Sequence, residues 1–109
     1  MSTGNIDFTT LKKWIPDYAN RSNTNLIPNK ETTVTIQDTG FICFSIIRYS
    51  NGNHSAVSIN GKQMMESPAA SSGYGTCTGV LPVTSGDIVT LEYNTDTPHY
   101  MYFIPGKWV

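Results

Sequence analysis

Short runs in which apolar and polar residues alternate follow one another along most of the chain, separated by residues that favour turns. Val34 and Ile36 alternate with threonine and glutamine, and Val89 and Leu91 alternate with threonine and glutamate. This period of two is typical of a β-strand with one buried face. The pattern predicts seven strands, at residues 32–37, 41–49, 55–59, 62–66, 74–83, 87–94 and 99–104.

Turn-forming residues between these runs support the same architecture. Asn60-Gly61 predicts a β-hairpin, because a type I′ turn needs a positive φ at both central positions and this pair adopts it readily. Isoleucine and valine together outnumber alanine and leucine, which favours strands over helices. We therefore predict an all-β fold, an antiparallel β-sandwich or jelly roll of about seven or eight short strands.

The N-terminal segment, residues 1–23, follows a different pattern. Thr9 or Thr10 could cap a short helix that Pro16 would end, and an irregular leader is the equally good alternative. We interpret the segment as a connector that leads into the sandwich domain. The predicted domain then comprises residues 24–109.

Composition and charge exclude several classes of protein. Only 14% of the residues are charged and the formal net charge is −1, with no run of like charge, so the basic stripe of a nucleic-acid binder is missing. The first residues lack the basic and apolar regions of a secretory signal. The longest apolar run, at residues 41–47, is far shorter than the ~20 residues that span a bilayer, so we expect no membrane insertion.

The sequence offers little catalytic or metal-binding chemistry. Cys43 and Cys77 show no zinc-like spacing, and we predict two free thiols rather than a disulfide. The glycine-rich stretch at residues 73–79 has the wrong spacing for a dinucleotide site, and His54 and His99 belong to no nucleophile motif. We expect a non-enzymatic protein without cofactor or metal. A carboxylate pair assembled only in space stays open as an alternative.

Two predicted strands, at residues 41–49 and 99–104, carry apolar side chains on both faces. Because a two-layer sandwich buries one face of each strand, the second face needs another cover. The N-terminal segment with Trp14 could supply part of it, or the tyrosines could lie at the rim. We predict that another copy of the chain supplies more, which gives a homo-oligomer with an interface through Phe44, Ile46, Tyr100, Tyr102 and Ile104.

Five short segments follow one another along the chain: WIPDYANR, ETTVTIQDTGFI, VSINGKQM, LPVTSGDIVTLEY and FIPGKWV. Their order and turn residues resemble the C-terminal receptor-binding domains of bacteriophage tail fibres. The resemblance covers most of residues 16–107, although a Gly-Asp-x-Val turn also occurs in C1q- and tumour-necrosis-factor-like jelly rolls. The matching positions are Pro16, Asp17, Tyr18, Gly40, Asn60, Gly61, Gly86, Asp87, Val89, Phe103, Pro105 and Lys107.

The resemblance implies a jelly-roll-like domain that is trimeric about the fibre axis, belongs to the virion and presents loops or grooves to a host surface. Some fibre tips bind metal on the axis through His-x-His pairs. This sequence has no such pair, so no metal is expected.

These features predict a viral structural protein that recognises a carbohydrate on the host cell surface. Aromatic rings can stack on sugar C–H faces, and small amides and hydroxyls can hydrogen-bond to sugar hydroxyls. The predicted contacts lie in two loops, Tyr49, Asn51, Asn53 and His54 in one and Ser71, Ser72 and Tyr74 in the other. Turns also need such residues without any ligand.

Three other functions remain open from the sequence. The main alternative is a purely architectural capsid-decoration or trimerisation module, which would bind other virion proteins and no receptor. A glycan hydrolase or esterase on the same fold is the second. A lectin-like or C1q-like host module is the third, and the missing signal peptide disfavours it.

Overall fold

Eight strands form two antiparallel sheets in the computed structural model, which describes residues 12–28, 31–48, 55–67, 75–92 and 99–109. The strands are β1 (Trp14–Pro16), β2 (Thr33–Thr35), β3 (Gly40–Arg48), β4 (Ala56–Ile59), β5 (Lys62–Glu66), β6 (Gly75–Val83), β7 (Ile88–Glu92) and β8 (His99–Trp108). One 3-10 turn, Tyr18–Asn20, follows β1. The predicted all-β sandwich is confirmed.

The strand order is that of a jelly roll. One sheet has the order β1-β8-β3-β6 and the other has the order β2-β7-β4-β5. The pairs β1 with β8, β2 with β7, β3 with β6 and β4 with β5 are nested, as if one long hairpin had been folded over on itself. Among the described residues, no helix is long and apolar enough to cross a membrane.

The core lies between the two sheets and is built from alternate residues of their strands. In β3, Phe44 faces inward, and its cross-strand neighbours are Gly79 and Met101. The second sheet contributes inward-facing valine and leucine side chains. The buried cluster comprises Ile27, Ile36, Ile42, Phe44, Ile46, Val57, Cys77, Val83, Val89, Leu91 and Met101.

The outward side of the first sheet carries an apolar patch beside the polar pair Ser45 and Thr78, and we call this patch the outer aromatic face. It is formed by Trp14, Phe41, Val80, Tyr100, Tyr102, Ile104 and Trp108. The indole of Trp14 stacks on Phe41 with ring centroids 6.3 Å apart and lies 5.2 Å from the ring of Trp108. Phe41 and its neighbour Ile104 are buried on this side. The chain therefore covers one end of the face with its own N-terminal segment.

The structure corrects the predicted oligomer interface at three of its five residues. Phe44 and Ile46 face the core, because even-numbered positions of β3 point inward, and Ile104 is buried within the same chain. Tyr100 is 41% exposed. Tyr102 is half-buried, and the Arg21 guanidinium lies 4.1 Å from its ring centroid.

The described part of the N-terminal segment, from residue 12 onward, contributes strand β1 to the first sheet. The helix considered for residues up to Trp14 is wrong for its described part, since Trp14 begins strand β1. Backbone hydrogen bonds then follow the edge of β8 past residue 23. The pairs are Lys13 with Val109 in both directions, Asp17 N–H to Pro105 O, Ser22 N–H to Phe103 O and Leu26 N–H to Met101 O, at 2.7–2.9 Å.

Candidate functional site

A half-open cleft lies along one side of the sandwich. There β2, at the edge of the second sheet, faces the segment of residues 22–26, which lies along β8. Its volume is about 250 Å³. We call it the edge cleft. It is lined by Ser22, Leu26, Thr35, Ile36, Gln37, Asp38 and Phe103.

The floor of the edge cleft is apolar. Ile36 belongs to the core, and Leu26 and Phe103 pack against that core while remaining partly exposed. The Phe103 ring lies directly against Gly40, where a Cβ atom would come within 2.6 Å of Phe103 Cζ. Because Gly40 has no side chain, the ring can lie close to the backbone at the start of β3. An aromatic ring is thus held in place at the base of the cleft.

The first wall is the chain from Ser22 to Leu26, and it is fixed by hydrogen bonds to β8. Backbone hydrogen bonds to β8 hold its two ends, Ser22 and Leu26. In addition, Asn25 Oδ1 accepts hydrogen bonds from the N–H of Ile27 at 3.1 Å and from the N–H of Met101 at 3.0 Å. Ser22 Oγ accepts from the N–H of Thr24 at 3.1 Å. This network makes the wall rigid although it contains no long strand.

The second wall is the loop after β2, and it is anchored to the turn between β6 and β7. The N–H of Ile36 donates to Asp87 O, and the N–H of Gly86 donates to Ile36 O, both at 2.8 Å. Ser85 Oγ donates to Gln37 O at 2.9 Å. The positions of Gln37 and Asp38 in the cleft therefore depend on that turn.

Asp87 and Asn60 hold the turn itself. Asp87 accepts hydrogen bonds from the N–H of Thr84 at 2.8 Å and from Asn60 Nδ2 at 2.9 Å. These two bonds hold the pKa of the Asp87 carboxyl below its usual value. Asn60 and Gly61 have φ values of 52° and 81°, which confirms the predicted hairpin. The β4–β5 hairpin thus stabilises the second wall indirectly, through the turn between β6 and β7.

The rim of the cleft carries hydrogen-bonding groups. Gln37 Nε2 donates to Thr35 O at 3.3 Å, which orients its side-chain amide. Asp38 is exposed, and among the described residues its carboxylate takes part in no hydrogen bond or ion pair. No group of three or more potential metal ligands occurs in the described part of the chain. The arrangement can bind a polar molecule with an apolar face.

All seven ligand contacts predicted from the sequence lie outside the described residues. They are Tyr49, Asn51, Asn53, His54, Ser71, Ser72 and Tyr74. They therefore stay predictions. Apart from Phe103, which belongs to the tail-fibre resemblance, the cleft residues were not singled out by the sequence. For Gln37 and Asp38, the sequence indicates only the end of a strand and a turn.

Comparison with known proteins adds no relative. No family model, no curated protein and no solved structure matches the chain. The resemblance to tail-fibre domains consequently stays a prediction, and the edge cleft is the feature of the molecule that bears on function.

Proposed function

We propose that this chain is a non-enzymatic, trimeric domain of a bacteriophage fibre or fibre tip and recognises a carbohydrate on the host cell surface. The observation that carries the proposal is the edge cleft, in which an aromatic floor meets an amide, hydroxyls and a carboxylate at the rim. Ligand sites are commonly apolar clefts with a few convergent polar groups.

The chemistry of the cleft fits a sugar ring. A pyranose has a face of C–H bonds, which can pack on Phe103, and a belt of hydroxyls. The Asp38 carboxylate and the carbonyl oxygen of the Gln37 amide can accept hydrogen bonds from those hydroxyls. The hydroxyl of Thr35 can act as donor or acceptor.

The rigidity of the walls also favours binding. Both walls are hydrogen-bonded to strands or turns of the sandwich before any ligand arrives. A preformed site loses less conformational entropy on binding than a flexible loop does. A small cleft of this kind can therefore hold a sugar despite its limited contact area.

A glycan array probed with the purified protein, followed by titration of the best hit, tests the proposal. We expect the double variant Gln37→Ala/Asp38→Ala to bind about tenfold more weakly or worse, because two rim groups are lost. Gln63→Ala/Glu66→Ala is the matched control, since these side chains form an exposed amide–carboxylate pair at 2.8 Å on β5. Equal weakening in both variants would contradict the assignment to the cleft.

The predicted loops need their own variant. Replacing Tyr49 and Tyr74 together by alanine should leave binding intact if the edge cleft is the site. If binding is lost while the thermal unfolding midpoint is unchanged, the site lies in those loops instead. Failure of every glycan to bind would refute carbohydrate recognition itself.

A second candidate function, an architectural trimerisation module, is favoured by the outer aromatic face. Val80, Tyr100 and Trp108 on this face are 42%, 41% and 63% exposed. Exposed apolar surface of this kind is typical of protein–protein contacts. This candidate predicts binding to other virion proteins and to no glycan.

Solution mass measured by light scattering tests the oligomer that both candidates assume. We expect three times the 12.0 kDa mass of one chain. Val80→Lys should reduce the mass to that of a monomer, because it places a charge in the outer aromatic face. Thr90→Lys, on the exposed side of the other sheet, is the control. A wild-type monomer would contradict the trimer.

A further inference from the structure

We infer that the edge cleft selects a single neutral sugar residue and rejects the corresponding uronic acid, with Asp38 as the residue that makes this distinction. The inference rests on the proposed function and specifies its ligand class. It follows from the size of the cleft, from the charge of its described lining residues and from the absence of a lysine or arginine among them.

The size of the cleft limits the ligand to about one ring. Its volume of about 250 Å³ lies just under the range of roughly 300–1,000 Å³ that is typical for sites of drug-sized ligands. One side of the cleft is open, so further residues of a glycan chain can continue into solvent. The contacts that select the ligand are therefore made to one residue of that chain.

Among the described lining residues there is a single charge, and that charge is negative. Asp38 is the only ionisable side chain among the lining residues that the structure describes. It is exposed at the rim and has no described partner to neutralise it. A neutral sugar can donate a hydroxyl hydrogen bond to this carboxylate, and such charge-assisted bonds are stronger than neutral ones.

Two described cations, one directly before the first wall and one on the strand that carries Phe103, are engaged elsewhere. Arg21 directly precedes the wall, but its guanidinium stacks on Tyr102 and donates to Asn23 Oδ1 at 3.2 Å. Lys107 forms an ion pair with Asp17 at 3.8 Å. No lysine or arginine lines the cleft within the described ranges. An anionic sugar would thus place its carboxylate near Asp38 without a compensating cation, which is unfavourable.

Matched pairs of methyl glycosides provide the test. Each hexoside (glucoside, galactoside and mannoside) is compared with the uronic acid that differs from it only at C6, by titration with NMR detection at low salt. We expect the neutral member of the binding pair to bind at least about tenfold more tightly. The preference should shrink as salt is added, because ions screen the repulsion.

Asp38→Asn removes the charge and keeps the shape of the side chain. We expect this variant to bind the uronic acid and the neutral glycoside within about threefold of each other. Glu66→Gln makes the same change on β5, at the opposite edge of the second sheet from β2, and should leave the preference unchanged.

The possible outcomes separate the two proposals. Equal or tighter binding of a uronic acid by the wild type would overturn the selectivity and leave carbohydrate recognition standing. A preference that survives Asp38→Asn would overturn the role of Asp38. If neither these glycosides nor any glycan on the array binds, both the selectivity and the proposed function are refuted.

Discussion

The indole of Trp14 occupies the space that a side chain at position 106 would need, because a Cβ atom built on Gly106 would overlap its six-membered ring. The two residues lie on adjacent strands, where Trp14 pairs with Trp108 and Pro16 pairs with Gly106. The missing side chain lets the ring lie flat on β8. One glycine near the C-terminus thereby makes room for the N-terminal strand.

Gly106→Ala should consequently weaken the attachment of β1. We expect the free energy of unfolding to fall by about 1–3 kcal/mol, as overpacked sites typically show. Urea denaturation followed by tryptophan fluorescence measures it. Gly79→Ala is the matched control, because its Cβ would meet the flexible thioether of Met65 and should cost less. A larger loss at Gly79 than at Gly106 would contradict this account.

Deleting residues 1–23 should damage the sandwich. The deletion removes β1 and uncovers the hydrogen-bonding edge of β8, and exposed strand edges promote aggregation. Light scattering and the urea midpoint should show an aggregating or much less stable protein. A deletion of residues 1–11 retains all contacts described above and should leave both measurements near those of the full chain. If the deletion of residues 1–23 also leaves both measurements near those of the full chain, the N-terminal segment is a true connector.

Acid should destabilise the protein partly through Asp87. Because hydrogen bonds lower the pKa of this carboxyl in the folded state, its contribution to stability is present above the unfolded pKa of about 3.9. The contribution is lost as the pH falls through the lower, folded value. Thermal midpoints measured from pH 7 to pH 2 should fall less steeply in Asp87→Asn than in the wild type. Parallel curves would contradict this role.

Cys77 should react slowly with thiol reagents in the folded protein. Cys77 is 3% exposed. Its burial is the main cause that raises the pKa of the thiol, and the nearby Glu66 carboxylate raises it further. The thiol therefore stays protonated at neutral pH, whereas the thiolate is the reactive form. In a Cys43→Ser variant, iodoacetamide labelling followed by mass spectrometry should be slow, and urea should accelerate it. Rapid labelling of the native variant would refute this expectation.

Local sequence patterns predicted most of the fold. The seven expected strands are all present, because runs rich in strand-forming residues lie between clear turn signals, and Asn60-Gly61 encodes its turn in two residues. Strand β1 was missed because it is three residues long and pairs only with the far end of the chain. Strand β8 also continues to Trp108, beyond the predicted end at residue 104.

The edge cleft could not be predicted in the same way. Ser22 and Phe103 are brought together by a backbone hydrogen bond between distant parts of the chain, and Gln37 joins them from a third part. No local sequence motif indicates that these three residues lie together. Phe103 and Tyr102 are consecutive in β8 and so lie on opposite faces of the sheet, but the neighbours of Phe103 follow only from the topology.

The nested strand pairs also predict an order of folding. The turn at Asn60-Gly61 closes a short loop between β4 and β5, whereas pairing β1 with β8 must close almost the entire chain at a larger entropic cost. We expect Val57→Ala to slow folding and Trp14→Phe mainly to accelerate unfolding, as stopped-flow kinetics would show. Strand β1 would then be the last to dock and the first to detach. Brief opening of the native protein should therefore begin at β1, with the amides of Lys13 and Asp17 exchanging their hydrogens before those of β3.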